Sequence, residues 1–296
     1  MPIIFFNIQP TITVKLYHLF KLQLNDMKKK FYKNSLAFFI GFFTATLGGL
    51  IGLGGAEFRL PFLIKLFDFL PLQAVIINKA VSLVVVSSSF FSRLSVIPLN
   101  LLLENLYIVL NLLSGSLLGA WIAADWAIKV HGKTLQRVIA VLLVFIALVL
   151  FMEGHIKDET FRIELSGIHL YTAGTISGFF IGMVAGIMGV AGGELLIPTI
   201  ILLYSLNIKL AGSLSLMVSI PTMVFAFARY SRDRSFSVLK ENLFLLLFMV
   251  LGSFLGSFVG GHLLLGRLSE GLILNLLIIV LLLSSYKVWQ GVSKRS

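Results

Sequence analysis

Two carboxylates stand inside apolar segments that would normally exclude them. Glu57 closes the run Gly52-Leu-Gly54-Gly55-Ala56-Glu57-Phe-Arg-Leu-Pro61, and Glu194 closes Gly189-Val-Ala-Gly192-Gly193-Glu194-Leu-Leu-Ile-Pro198. A carboxylate at membrane depth costs roughly 2.5–3.5 kcal/mol on insertion scales unless it is paired or protonated. Keeping one in the same setting twice points to a use, and three uses fit. The pair could take up and release a coupling proton. It could ligate a cation. Each carboxyl could instead cap the free amides of the helix it opens.

Lys79, in Asn78-Lys79, lies deep in the apolar run 73–90, where its ammonium has no easy route to an interface. A buried lysine there serves either as counter-charge for an anion or as partner for Glu57. Asn78, Ser213, Ser215 and Ser219 add amide and hydroxyl groups, which also suit interhelical hydrogen bonding. Arg59 follows Glu57 by two positions, whereas Leu196 stands at the matching place, so any role of Arg59 belongs to one site only. Glu104 and Glu241, each beside an Asn, read as caps at the start of spans. Asp125 and His262 occupy matching positions, too isolated to assign.

Other chemistry is not indicated. The five histidines (18, 131, 155, 169 and 262) show no metal-ligand spacing, and cysteine is absent. The glycine runs lack the Gly-Lys-Ser/Thr of a nucleotide loop, and no nucleophile–base set is visible. Neither an enzyme nor a bound cofactor or metal is expected.

These residues are set in a duplicated frame. Gly41, Gly49, Gly52, Gly55, Glu57 and Pro61 recur 137 positions later as Gly178, Gly186, Gly189, Gly192, Glu194 and Pro198. The register holds without a gap through Ala74/Ala211, Val81-Ser82/Val218-Ser219, Glu104-Asn105-Leu106/Glu241-Asn242-Leu243 and Gly115-Ser116/Gly252-Ser253. Two related apolar halves, each with a glycine break, are the pattern of a secondary transporter.

Composition sets the solvent. The 296 residues are 58% hydrophobic and 12% charged, with mean hydropathy +0.99, against about 25% charged in a soluble domain. The chain reads as an all-α polytopic membrane protein whose partner is the lipid bilayer. Its net charge of +11 is spread over loops and tails, not gathered into a patch, so nucleic acid is not expected. Apolar segments fall at about 35–52, 56–70, 73–97, 101–128 and 134–152, and again at about 168–189, 193–206, 209–230, 241–266 and 270–290. The implied organisation is a cytoplasmic tail over 1–34, a first repeat over 35–152, an acidic connector over 153–167 and a second repeat over 168–296 ending in a short cytoplasmic tail.

One helix over 35–70 would run roughly 54 Å, against a hydrocarbon core of about 30 Å. The glycines must therefore break it within the membrane or turn it back. Charge favours turning back or crossing twice. An odd number of crossings per half puts Lys28–Lys30, Lys129/Lys133/Arg137, Arg229/Arg232/Arg234/Lys240 and Lys287/Lys294/Arg295 on the cytoplasmic side and 153–164 outside. The halves are then inverted about an axis in the membrane plane, with both termini cytoplasmic in the cell membrane. The helix after each break aims its N-terminal amides inward, which favours an anion. Tight packing through small residues is the plainer use of the same glycines.

The paired Gly-x-x-Gly-x-Gly-Gly-x-Glu-x-x-x-Pro blocks, followed by Ala74-x-x-x-Asn78-Lys79 and Ala211-x-Ser213-x-Ser215-Leu216, resemble the sulfite exporter TauE/SafE family over about residues 35–290. That resemblance implies a permease, often an exporter, for small sulfur-containing anions such as sulfite and organosulfonates. It implies a substrate region of Gly52, Gly54, Gly55, Asn78, Lys79, Gly189, Gly192, Gly193, Ser213 and Ser215. Two departures bear on the substrate: Gly54-Gly55-Ala56 and Ala191-Gly192-Gly193 stand where a glycine triplet is familiar, and Ile77 stands where Thr precedes Asn-Lys. The expected function is a small-anion carrier, with Glu57 and Glu194 as the candidate proton-coupling groups. The alternatives are a cation or metal permease using the same pair, and a membrane assembly protein that transports nothing.

Overall fold

A computed structural model describes residues 10–51, 55–94, 97–155, 165–259 and 270–294. Gly52, Gly54 and His262 lie outside the described residues, as does most of the acidic connector. What is described is helical throughout, with no strand among the described residues. The first half comprises α1 (Pro10–Ile51), α2 (Ala56–Lys65), α3 (Pro71–Arg93), the short α4 (Leu99–Glu104), α5 (Leu106–Lys129) and α6 (Gly132–His155). The second comprises α7 (Gly167–Met188), α8 (Gly193–Tyr204), α9 (Ile208–Tyr230), a 3-10 turn (Arg234–Ser237) leading into α10 (Val238–Glu241), then α11 (Leu243–Phe258) and α12 (Glu270–Lys294). Helix α1 is one helix of 42 residues from Pro10, so residues 10–34 of the expected tail are helical and continuous with the first apolar segment.

Among the described residues five helices, α3, α5, α6, α7 and α9, are long and apolar enough to cross a membrane. The pair made by Arg234–Glu241 and Leu243–Phe258, bent by 72°, supplies a sixth. Lipid explains their outer faces. Phe39 and Phe43 on α1, Leu118 and Ile122 on α5, and Leu251 and Phe254 on α11 are large apolar side chains left exposed. The inner faces are small: Gly115, Ser116, Gly119, Ala120, Ala123, Ala124 and Ala127 of α5 are buried.

Without a hydrophobic drive between helices in lipid, close backbone approach supplies the packing. A methyl at Gly115 or Gly119 would strike the carbonyls of Thr175 and Phe179 on α7. At Gly252 or Gly256 it would strike those of Phe38 and Phe42 on α1. The first helix of each half thus packs on the fifth helix of the other, through matching residues. Across the remaining interfaces α3 packs on α9 and α6 on α12.

The cap reading of Glu104 and Glu241 is corrected. Glu104 ends α4, and Asn105 donates Nδ2 back to Leu101 O at 2.9 Å. Glu241 ends α10 and accepts from Ser237 Oγ at 2.8 Å, while Asn242 Nδ2 donates to Val238 O at 3.1 Å. Neither Asn caps the helix that follows through its side chain. A short helical turn precedes each span, and these side chains close its C-terminal end instead.

Candidate functional site

Both glycine breaks reverse the chain. Gly55 (φ 66°) opens α2, Gly189 (φ 70°) ends α7 and Gly192 (φ 79°) opens α8, all in the left-handed region that a side chain disfavours. A Cβ at Gly55 would run into Thr44 O, some two turns back along α1. At Gly192 it would lie 3.2 Å from Ile181 Cγ2 and 3.5 Å from Ala185 Cβ, the same distance back along α7. The chain therefore folds against the helix it has just left. Helices α2 and α8 then have 10 and 12 residues, about 15–18 Å at 1.5 Å per residue, or half of a bilayer core.

Glu57 and Glu194 stand in the first turn of these half-helices and are buried, at 1% and 4% exposure. They come within electrostatic and hydrogen-bonding range of each other. Two carboxylates offer each other only acceptors, however, so neither satisfies its partner. Both oxygens of Glu57, and Oε2 of Glu194, find no hydrogen-bond donor among the described residues. Glu57 is thus not a cap of α2, which has no side-chain cap bond. Such a pair is stable only with a donor between its members: a proton, a cation or water.

Asn78 joins the two breaks. Its Nδ2 donates at 3.1 Å to Ala56 O, at the start of α2, and at 3.1 Å to Met188 O, at the end of α7. Lys79, also fully buried, donates Nζ to Ala185 O at 2.9 Å, and Tyr230 OH donates to Gly186 O at 2.8 Å. Asn78 and Tyr230 thereby reach carbonyls in the last turn of α7, while Ala185 O takes the Lys79 ammonium in addition to the amide of Gly189 at 3.1 Å. Gly189 permits the approach, since a Cβ there would lie 2.5 Å from Val75 O of α3 and 3.2 Å from Lys79 N.

Arg59 is the residue whose importance the sequence understated. It is fully buried, with Nε donating to Asn78 Oδ1 at 2.9 Å, Nη1 to Ser253 Oγ at 3.1 Å, and Nη2 to Ser82 Oγ at 2.6 Å and Asn78 O at 3.4 Å. One guanidinium so ties α2 to α3 and α11. The signal was present in the repeated pairs Val81-Ser82/Val218-Ser219 and Gly115-Ser116/Gly252-Ser253, which place Ser82 and Ser253 among matched positions.

Gly55, Glu57, Asn78, Lys79, Gly189, Gly192, Gly193 and Glu194 are accordingly gathered around the two breaks. Ser213 and Ser215 are buried but bond within their own helix, to Lys209 O at 3.3 Å and Gly212 O at 2.9 Å. Ser219 Oγ, the counterpart of Ser82, has no partner among the described residues. Ser116, the counterpart of Ser253, shares a 2.7 Å hydrogen bond with Thr222. Asp125 is not isolated: it pairs with Arg229 of α9 and with Lys129 at 2.5 Å, near the C-terminal ends of α5 and α9. No cluster of three or more His, Cys, Asp or Glu able to hold a metal occurs among the described residues.

A family model described as Sulfite exporter TauE/SafE matches residues 16–288, nearly the whole chain. No curated protein and no solved structure matches it.

Proposed function

The chain belongs to the sulfite exporter TauE/SafE family, and from that premise we propose that it exports a small sulfur oxyanion, sulfite or an organosulfonate, with Glu57 and Glu194 carrying a coupling proton. The family is one of membrane transporters, not enzymes, which makes this a multi-pass protein of the cell membrane acting on a small molecule. The observation that supports the finer reading is the facing acid pair, in which both oxygens of Glu57 and Oε2 of Glu194 lack a donor among the described residues, set at the first turns of two half-helices. A proton on the pair supplies the missing donor. Its release when the site opens to the other side returns the pair to the acceptor-only state.

Positive potential for the anion comes from Arg59, Lys79 and the two half-helix N-termini. The reciprocal packing of α1 on α11 and α7 on α5 supports reading the halves as inverted repeats that rock against one another. Cytoplasmic termini follow from the placement of the basic clusters. A cation permease would use the same acid pair as ligands. A buried cation whose charge acts on Glu57, Arg59, opposes that choice.

The test is sulfite flux into proteoliposomes with and without an imposed pH gradient, for the wild type and for Glu57→Gln/Glu194→Gln. Gradient-driven flux in the wild type and gradient-independent or absent flux in the variant is the expected result. Gradient-driven flux that survives in the variant would remove the carboxylates from the coupling step. Divalent-cation flux in place of sulfite flux would select the cation reading.

A further inference from the structure

Two buried cations, Arg59 and Lys79, stand at the breaks, and their surroundings differ. Lys79 Nζ donates to Ala185 O at the C-terminal end of α7, where the negative end of the helix dipole offsets its charge. Arg59 lies in the first turn and a half of α2, where the dipole's positive end adds to its charge. All four acceptors of its guanidinium are uncharged: two serine hydroxyls, and the side-chain amide and backbone carbonyls of Asn78. Among the described residues Glu57 is the carboxylate that acts on it electrostatically, yet neither Glu57 oxygen accepts a hydrogen bond from it or from any other described residue. A guanidinium carries five N–H donors. The acceptors above engage four, leaving one Nη1 hydrogen without an acceptor among the described residues.

We infer that Arg59 is a residue that fixes the substrate's negative charge. The inference rests on the anion-carrier reading and names the recognition residue within it. A fully buried guanidinium held by neutral acceptors keeps its orientation and its full charge, and it retains a free donor for an oxyanion oxygen. Lys79 is the positioning residue: by holding the end of α7 it keeps the second break against α3. Leu196 at the matching place leaves the second half without such a charge, so the site has one anion-binding end.

The experiment measures KM for sulfite and for methanesulfonate in proteoliposomes, together with thermal stability in detergent, for four variants. Arg59→Gln should raise KM for both anions by about 10- to 100-fold, the loss of one charged hydrogen-bonding partner. Arg59→Lys keeps the charge and should recover most of that loss. Ser82→Ala and Ser253→Ala loosen the guanidinium without removing it and should raise KM by about threefold or less. A folded Arg59→Gln with wild-type KM overturns the inference. So do serine variants as impaired as Arg59→Gln, because the role is then structural. If Arg59→Gln does not fold, Arg59→Lys decides: sulfite affinity within a few-fold of wild type supports the charge role, and loss of saturable transport overturns it. Absence of anion flux in the folded wild type overturns the carrier reading itself.

Discussion

Replacing Asn78 by Ala removes three hydrogen bonds from a site with no solvent exposure. Two leave the carbonyls of Ala56 and Met188 without their donor, and one leaves Arg59 Nε without its acceptor. Interhelical hydrogen bonds in membrane proteins average about 0.6 kcal/mol in double-mutant cycles, which would give about 2 kcal/mol for three. That average describes groups that find other partners when one is lost. Here the partners are the fixed ends of two helices and a guanidinium already engaged elsewhere, so the cost of an unsatisfied buried group, about 1–3 kcal/mol each, applies more closely. A water entering the vacated amide volume recovers part of it. The expected loss is about 3–5 kcal/mol, against about 1 kcal/mol for Ser82→Ala, which removes one of the acceptors of Arg59. Unfolding by denaturing detergent in bicelles, followed by the fluorescence of the three tryptophans, gives both numbers. An Asn78→Ala loss within about 1 kcal/mol of that for Ser82→Ala would refute the argument that Asn78 holds the two breaks together.

Gly189→Ala should abolish transport and lower thermal stability, because it adds the left-handed penalty of about 1–2 kcal/mol and drives a methyl into the Val75 carbonyl. Gly167→Ala, also at positive φ but with nothing within 4 Å of its Cβ, should show the backbone penalty alone and transport normally. Asp125→Asn should lower the melting temperature slightly at low ionic strength, and the difference should vanish in high salt, since Lys129 and Asp125 are 70% and 31% exposed and their attraction is screened. A melting temperature difference that persists in high salt would mean that the Arg229 contact is shielded from solvent.

The helices were legible because lipid makes the rule simple: apolar runs of sufficient length are spans, and glycines clustered at the end of a run, as at 52–55 and 189–193, are breaks. Segments expected at 56–70 and 193–206 appear as α2 and α8, and those at 73–97 and 209–230 as α3 and α9. The contacts across helices were less accessible. Nothing in the spacing of Lys79 says that its ammonium reaches Ala185 O, because that depends on where the end of α7 lies against α3. The meeting of Glu57 and Glu194 could be posed as a possibility, yet only the packing of the halves brings them together. The small turns before α5 and α11 escaped notice because four to six residues carry no periodicity. Their Glu and Asn therefore read as caps of the longer helices.

Arg59 shows why a duplicated motif misdirects attention. Matching positions draw the eye to what both halves retain, and Arg59 against Leu196 registers only as a mismatch. In the folded protein the mismatch propagates. Where Ser82 accepts from Arg59, its counterpart Ser219 is buried with an unpartnered hydroxyl. Where Ser253 accepts from Arg59, its counterpart Ser116 has turned to Thr222. The hydroxyl frame is thus present twice, but the guanidinium that fills it is present once. Several close glycine contacts do match between the halves: Gly41 on Met249 O as Gly178 on Leu112 O, and Gly115 on Thr175 O as Gly252 on Phe38 O. The charge is not the same, since Arg59 and Lys79 both belong to the first half and face Leu196 and Leu216 in the second. The acid pair, one residue from each half, is the part of the site to which both halves contribute, whereas the buried cations come from the first half alone.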